Sequence, residues 1–184
     1  MNLFLDTEWA DAEGTQLVSL ALVSEDGEHV FYAERDPLPS NPTQFVRDVV
    51  YPLLDRANKA LDDCLFTTRL RQFLSRFEAP LVIYDVTTDV DLLKRALTGF
   101  DLTDAEVARS GPIPNTHTAE ISENGMIKMM IEDWFDSHSD ARLMRHHARV
   151  DAQAFRMAWL AANDKIEPDW SRTWKVHRKG RDRS

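Results

Sequence analysis

The chain has 184 residues, 43% hydrophobic and 29% charged, with a formal net charge of −9 at pH 7. That length and composition fit one soluble domain with a sizeable core. The acidic balance excludes a protein that coats nucleic acid through bulk electrostatics. No apolar run reaches the roughly 18 residues of a membrane span, so no membrane partner is expected. The N-terminus lacks the basic, apolar and small-residue order of a signal peptide. The single Cys64 excludes an internal disulfide, and a reducing, cytoplasmic setting is expected.

In chain order, residues 2–9 read as a first strand and residues 16–24 as a second. Glu25-Asp-Gly27 is a tight turn and His29 to Glu34 returns as a third strand, making an antiparallel hairpin of strands two and three. Pro37, Pro39 and Pro42 mark a loop. Asn41-Pro42 then has the form of a helix N-cap followed by proline, with Phe45, Val46, Val49, Val50 and Leu53 at helical spacing until Pro52 ends or kinks the run. Thr68 to Phe77 reads as a helix. Pro80 to Asp85 is an apolar strand, expected beside the first and parallel to it, and Asp89 to Leu97 is helical. Residues 98–124, with Gly99, Gly111, Pro112 and Pro114, read as irregular. Met126 to Phe135 is a helix with methionines as core filler. His146 to Ala162 is the final helix, burying Ala152, Phe155, Ala158 and Trp159. The pattern describes an α/β domain in which a mixed central sheet, with its antiparallel hairpin beside parallel strands, is flanked by helices.

Asp6 and Glu8 stand two apart on the first strand, so their carboxylates share a face. Like charges that close raise each other's pKa unless a cation sits between them. Asp-x-Glu occurs four times (Asp6/Glu8, Asp11/Glu13, Asp26/Glu28, Asp104/Glu106), and only the first pair follows an apolar strand. Two later segments supply partners. Asp89 opens a helix directly after an apolar strand, where α/β sheets place their sites; the competing reading is a plain helix cap. Asp85 and Asp91 are rival carboxylates nearby. Further on comes His146-x4-Asp151, followed by the small Ala152 and Ala154 on an amphipathic helix. His147 points elsewhere on that helix and reads as a surface or supporting residue. Four carboxylates without a cysteine suit hard cations, Mg²⁺ or Mn²⁺.

The ordered set Asp6, Glu8, Asp89, His146 and Asp151 resembles the DEDDh branch of the 3′–5′ exonuclease superfamily, whose members have an RNase H-like fold and include oligoribonuclease and RNase T. Asp6-Thr-Glu8 matches the first motif, and His146-His-Ala-Arg-Val-Asp-Ala152 fits the H-x-A-x-x-D-A form of the third. The likeness covers nearly the whole chain to residue 160 and is greatest to the small, single-domain bacterial exoribonucleases. It implies a site with two Mg²⁺ or Mn²⁺ ions. Asp6 bridges both, Glu8 and Asp151 complete the first, and Asp89 supports the second. His146 is the implied general base, taking a proton from the attacking water. The implied reaction releases nucleoside 5′-monophosphates from a single-stranded 3′ end, with RNA preferred over DNA. Several of those relatives are dimers, which makes a homodimer the expectation.

The sequence departs from the family pattern in two places. Asp85 stands where many members carry Asn, four residues before the middle carboxylate, so Asp85 or Asp91 competes with Asp89 for that role. Trp9-Ala10 replaces the Thr-Gly that often follows the first motif. Trp9, Ala10 and Asp85 are therefore the candidate substrate contacts. Trp9 either stacks on the terminal base, worth about 1–3 kcal/mol, or is a core aromatic at the strand end.

The exonuclease domain is expected over residues 1–165, with 166–184 as a basic tail. In that tail Arg172, Lys175, Arg178, Lys179, Arg181 and Arg183 face one Asp182. It reads either as an arm that touches phosphates or as a solubilising terminus. Two other functions fit the same residues: a 3′–5′ exodeoxyribonuclease, and a non-catalytic RNase H-like module that binds nucleic acid or protein.

Overall fold

The computed structural model describes residues 1–121 and 124–181. Six strands form one mixed sheet: β1 (Asn2–Trp9), β2 (Leu17–Ser24), β3 (Val30–Arg35), β4 (Ala60–Leu61), β5 (Leu81–Tyr84) and β6 (His117–Glu120), in the order β4-β3-β2-β1-β5-β6. β2 runs antiparallel to β1 and β3, and β5 and β6 run parallel to β1. The helices are α1 (Asp63–Leu74), α2 (Thr87–Thr98), α3 (Asp104–Arg109), α4 (Gly125–Ser137), α5 (Ser139–Leu143), α6 (Ala148–Ala162) and α7 (Arg172–Arg181). This is the α/β class expected above, with the hairpin beside parallel strands and helices around the sheet, and it is compatible with an RNase H-like fold.

Two-residue alternation along β1 divides the molecule. Leu3 and Leu5 face α1 and α2, packing with Phe66, Leu70, Val90 and Leu93. Phe4 faces the other way, against Ile127 and Met130 of α4 and Phe155 of α6. Its ring meets Phe155 edge-on, with centroids 5.4 Å apart. β2, covered on both faces, is buried at every position. Carried to the carboxyl end of β1, the same alternation turns Thr7 toward α2 and Asp6 and Glu8 toward α6.

Element boundaries differ from the sequence expectation where a cap or an edge decides. α1 begins at Asp63, well before Thr68, because the Asp62 carboxylate accepts the Leu65 N–H at 2.8 Å. After Pro42 there is no regular amphipathic helix. Thr43, not Asn41, accepts the Val46 N–H through its hydroxyl (3.3 Å), a single wide turn spans Val46–Val50, and Pro52 sits in a tight turn over Tyr51–Leu53. The stretch expected to be irregular contains α3, held by a reciprocal capping box of Thr103 and Glu106, and the edge strand β6. Most of β6 is exposed, so it carries no apolar alternation to betray it. Residues 122 and 123 of that stretch, and Asp182, Arg183 and Ser184 of the tail, lie outside the described residues.

The basic segment is docked on the domain as far as α7. Asp133 of α4 accepts the Ser171 hydroxyl and the Thr173 N–H at 2.9 and 2.8 Å, and Trp170 and Trp174 join the cluster around Phe4. Among the described residues no helix is long and apolar enough to cross a membrane. Because Phe4 is fully buried between two helices, Phe4→Ala should destabilise the fold by about 3–5 kcal/mol. The check is a lower denaturation midpoint at an unchanged m-value.

Candidate functional site

At the carboxyl ends of β1 and β5 the sheet opens into a cleft of about 440 Å³. Asp6 and Glu8 reach it from β1. The pairing of β1 with β2 shifts register between Glu8 and Trp9, a bulge of the kind that re-aims side chains beside a site.

Asp89 enters from the first turn of α2 and is 2% exposed. It is not the helix cap, a position held by Val86 without a side-chain bond. Asp89 Oδ1 instead accepts the Thr7 N–H at 3.1 Å and the Thr7 hydroxyl at 2.6 Å. Thr7, the residue between the paired carboxylates, thus ties α2 to β1.

Asp151 comes from the first turn of α6. That helix starts at Ala148, later than expected, and His146 precedes it with φ +72°, a left-handed conformation that strains a residue with a side chain. Asp151 Oδ2 accepts the His146 N–H at 3.0 Å, and the His146 ring lies edge-on to Phe45 with centroids 5.0 Å apart. Glu8, His146 and Asp151 each bring a ligand atom within 4.8 Å of the other two.

The carboxylates hold one another's protons. Burial first, then the charges of Asp151, Asp89, Glu8 and Asp85, keeps Asp6 well above the ordinary carboxylate range. Burial, with Asp151 and Asp89, pushes Glu8 up to about 9. Burial raises Asp89 to about 7 against the opposing Thr7 hydroxyl, and Asp151 to about 7 against the His146 N–H and the Arg145 charge. Asp85, just beyond β5, is raised by burial and opposed by Lys128. Burial and the Arg145 charge lower His146, favouring the neutral imidazole.

Two oxygens test whether these residues fit a cation. Asp6 Oδ2 and Asp151 Oδ1 are enclosed and have no hydrogen-bond partner among the described residues, although buried polar atoms in native folds almost always have one. A divalent cation bound at such an oxygen would supply the missing partner and relieve the repulsion. The oxygen-rich donor set suits Mg²⁺ or Mn²⁺.

The other candidates fall in different places. Asp85 and Trp9 line the cleft; Trp9 also packs partly on the core, so both of its readings have a physical basis. Ala10 does not line it. It is fully buried with Val18, Val46 and Val50, and its carbonyl accepts the Thr43 N–H at 2.8 Å, anchoring the cleft wall from behind. Asp91 is exposed, 3.4 Å from Lys94. His147 is no surface residue. It precedes α6 on extended backbone and is fully buried, stacked on Tyr32 at 4.5 Å, with Nε2 3.6 Å from Asp55.

Sequence reasoning missed Phe45 as a wall of the cleft, because helical spacing grouped it with the buried Val46 and Val50. The wide turn leaves it 50% exposed instead. Compared with known proteins, the chain matches no family model and no curated protein.

A carboxyl whose folded pKa lies above its unfolded value stabilises the fold while protonated, and that stability is lost as pH rises through the folded pKa. With Asp89 and Asp151 near 7 and Glu8 near 9 in the fold, against ordinary carboxyl values near 4 when unfolded, the metal-free protein should lose Tm between about pH 4 and 9 in EDTA. Millimolar Mn²⁺ should flatten that decline. Asp151→Asn should raise Tm at pH 8 in EDTA and reduce the Mn²⁺ response. A flat profile for the wild type in EDTA would contradict the clustering.

Proposed function

We propose that this chain is a metal-dependent 3′–5′ exoribonuclease of the DEDDh type, releasing nucleoside 5′-monophosphates from single-stranded RNA. The observation that carries this reading is the gathering of Asp6, Glu8, Asp89 and Asp151 in one cleft, with enclosed carboxylate oxygens that lack partners and His146 beside them. These carboxylates would hold two Mg²⁺ or Mn²⁺ ions, which when bound neutralise charge on the scissile phosphate and acidify water.

The chain's own residues do the rest. His146 accepts the proton of the attacking water. Its pKa is lowered by burial and by Arg145, so at neutral pH the ring has a free lone pair for that task. Phe45 packs edge-on against the ring, and the left-handed backbone of His146, whose N–H is held by Asp151, fixes where the side chain leaves the chain. Thr7 holds Asp89 against rotation. Lys128 and Arg145 temper the negative field around Asp85 and Asp151, easing the approach of a polyanion. Trp9, Phe45 and Val86 give the cleft apolar surface for bases. The preference for RNA rests on the resemblance in sequence.

The test is a time course with 5′-labelled single-stranded RNA and DNA of one sequence, in Mn²⁺ or EDTA, beside Asp6→Ala. The expected result is a 3′-shortening ladder, faster on RNA, that disappears in EDTA and in the variant. His146→Ala should slow turnover by about 10²–10⁴ while keeping the Mn²⁺-dependent rise in Tm. Full activity in His146→Ala would remove the proposed base. No shortening of either strand, despite stabilisation by Mn²⁺, would favour a binding module instead.

A further inference from the structure

A second groove lies between α1 and the tight turn Ala57–Lys59 that packs on β3. It encloses about 370 Å³, and its charged and amide side chains are Asn58, Lys59, Arg69, Gln72 and Arg76, with no carboxylate among the lining residues. None of the ion pairs among the described residues involves Lys59, Arg69 or Arg76. Acids of the flanking elements are engaged with other cations: Glu34 and Asp36 pair with Arg56, and Asp63 with Arg35. In a chain of net charge −9, three cations gathered without a counter-ion make a local positive field.

Both walls of the groove are fixed. Arg69, Gln72 and Arg76 stand at i, i+3 and i+7 of α1 and so share one helix face. Arg76 packs over the Phe73 ring, 5.7 Å from its centroid. On the other wall, Asn58 and Lys59 follow two left-handed residues, Arg56 (φ 50°) and Ala57 (φ 45°), a conformation that strains residues with a side chain. The buried Glu34 carboxylate sustains it by accepting the Asp55 and Arg56 N–H groups at 2.7 and 2.9 Å. The Lys59 N–H then closes the turn on the Arg56 carbonyl at 2.8 Å.

We propose that this groove is a binding site for a linear oligophosphate, a ligand of consecutive phosphoryl groups recognised without a base. Guanidinium forks match phosphate oxygens, and an ammonium adds a compact charge. The Asn58 and Gln72 carboxamides add neutral donors. The two arginines leave α1 two turns apart, about 10 Å along its axis, a spread that suits a row of phosphates better than a single one. A nucleobase finds no stacking platform, since Phe31, Tyr32 and Phe73 are 8%, 7% and 4% exposed. Single-stranded RNA is therefore the poorer occupant. The proposal is independent of the nuclease reading, because none of these residues lines the carboxylate cleft.

The test is calorimetric titration of the full chain, stripped of metal and in chelator-free buffer, with tripolyphosphate, orthophosphate, citrate or a uridylate oligonucleotide. Tripolyphosphate should bind one per chain, at least about tenfold tighter than each of the other three. Arg69→Ala combined with Arg76→Ala, and separately Lys59→Ala, should each weaken it by about tenfold or more. Arg109→Ala, which removes an exposed arginine outside the groove, should leave it unchanged. Arg69 and Arg76 are exposed and Lys59 is half-buried, so the variants are expected to fold, and circular dichroism verifies this. Absence of binding, equal affinity for orthophosphate or citrate, or an affinity that the groove variants leave intact would overturn the proposal. So would tighter binding of the oligonucleotide, or an equal loss in Arg109→Ala.

Discussion

Repulsion among buried carboxylates is the constraint around which this domain is arranged. Burial raises the proton affinity of Asp6, Glu8, Asp89 and Asp151; the charges of Asp151 and Asp89 raise Asp6 and Glu8 further, and that of Asp85 raises Asp89 and Asp151. The fold anchors them with neutral donors rather than counter-ions. Thr7 bonds Asp89, and the His146 backbone bonds Asp151. Arg145 is instead engaged with Glu132. Direct ion pairs would satisfy the acids and leave no coordination capacity for a cation. Neutral anchors fix the geometry and leave the charge unspent, at a cost in stability of the kind expected where a site is built for function.

Glu34 shows what the same chain does with a buried carboxylate that serves the fold. It is fully buried, yet its oxygens accept the Asp55 N–H, the Arg56 N–H and the Tyr32 hydroxyl at 2.7, 2.9 and 2.7 Å. It also pairs with the Arg56 guanidinium at 3.4 Å. Asp6 and Asp151, by contrast, each keep an enclosed oxygen without a partner. The difference between a satisfied acid and an unsatisfied one, within one domain, separates structural burial from the cleft.

Much of this was readable in the residues because strand periodicity is local. The apolar run before Asp6, the Gly27 turn and the alternation on β1 each follow from a few neighbouring side chains, and they correctly give three strands and a hairpin. The acidic pair stood out among four Asp-x-Glu occurrences because of what preceded it. Other features were hidden for physical reasons. β6 borrows its order from β5 and is largely exposed, so it carries no pattern of its own. Phe45 has the spacing of a core residue, but it stands just before the wide turn with half of its surface exposed, against the His146 ring. His147 looks like a helix-surface residue until α6 begins one residue after it and leaves it packed on Tyr32.

The sequence by itself determined the carboxylate and histidine inventory, the shared face of Asp6 and Glu8 on β1, and the α/β class. These depend on composition and on periods of 2 and 3.6 residues, which need no knowledge of distant neighbours. Only the tertiary structure placed Asp89 and Asp85 in the cleft and left Asp91 outside it, and it tied Asp89 to Thr7, 82 residues away in the chain. It alone moved Ala10 behind the cleft wall and brought Phe45 against His146. Each of these is a contact between segments remote in sequence, set by how the helices cover the sheet, and no local pattern encodes it.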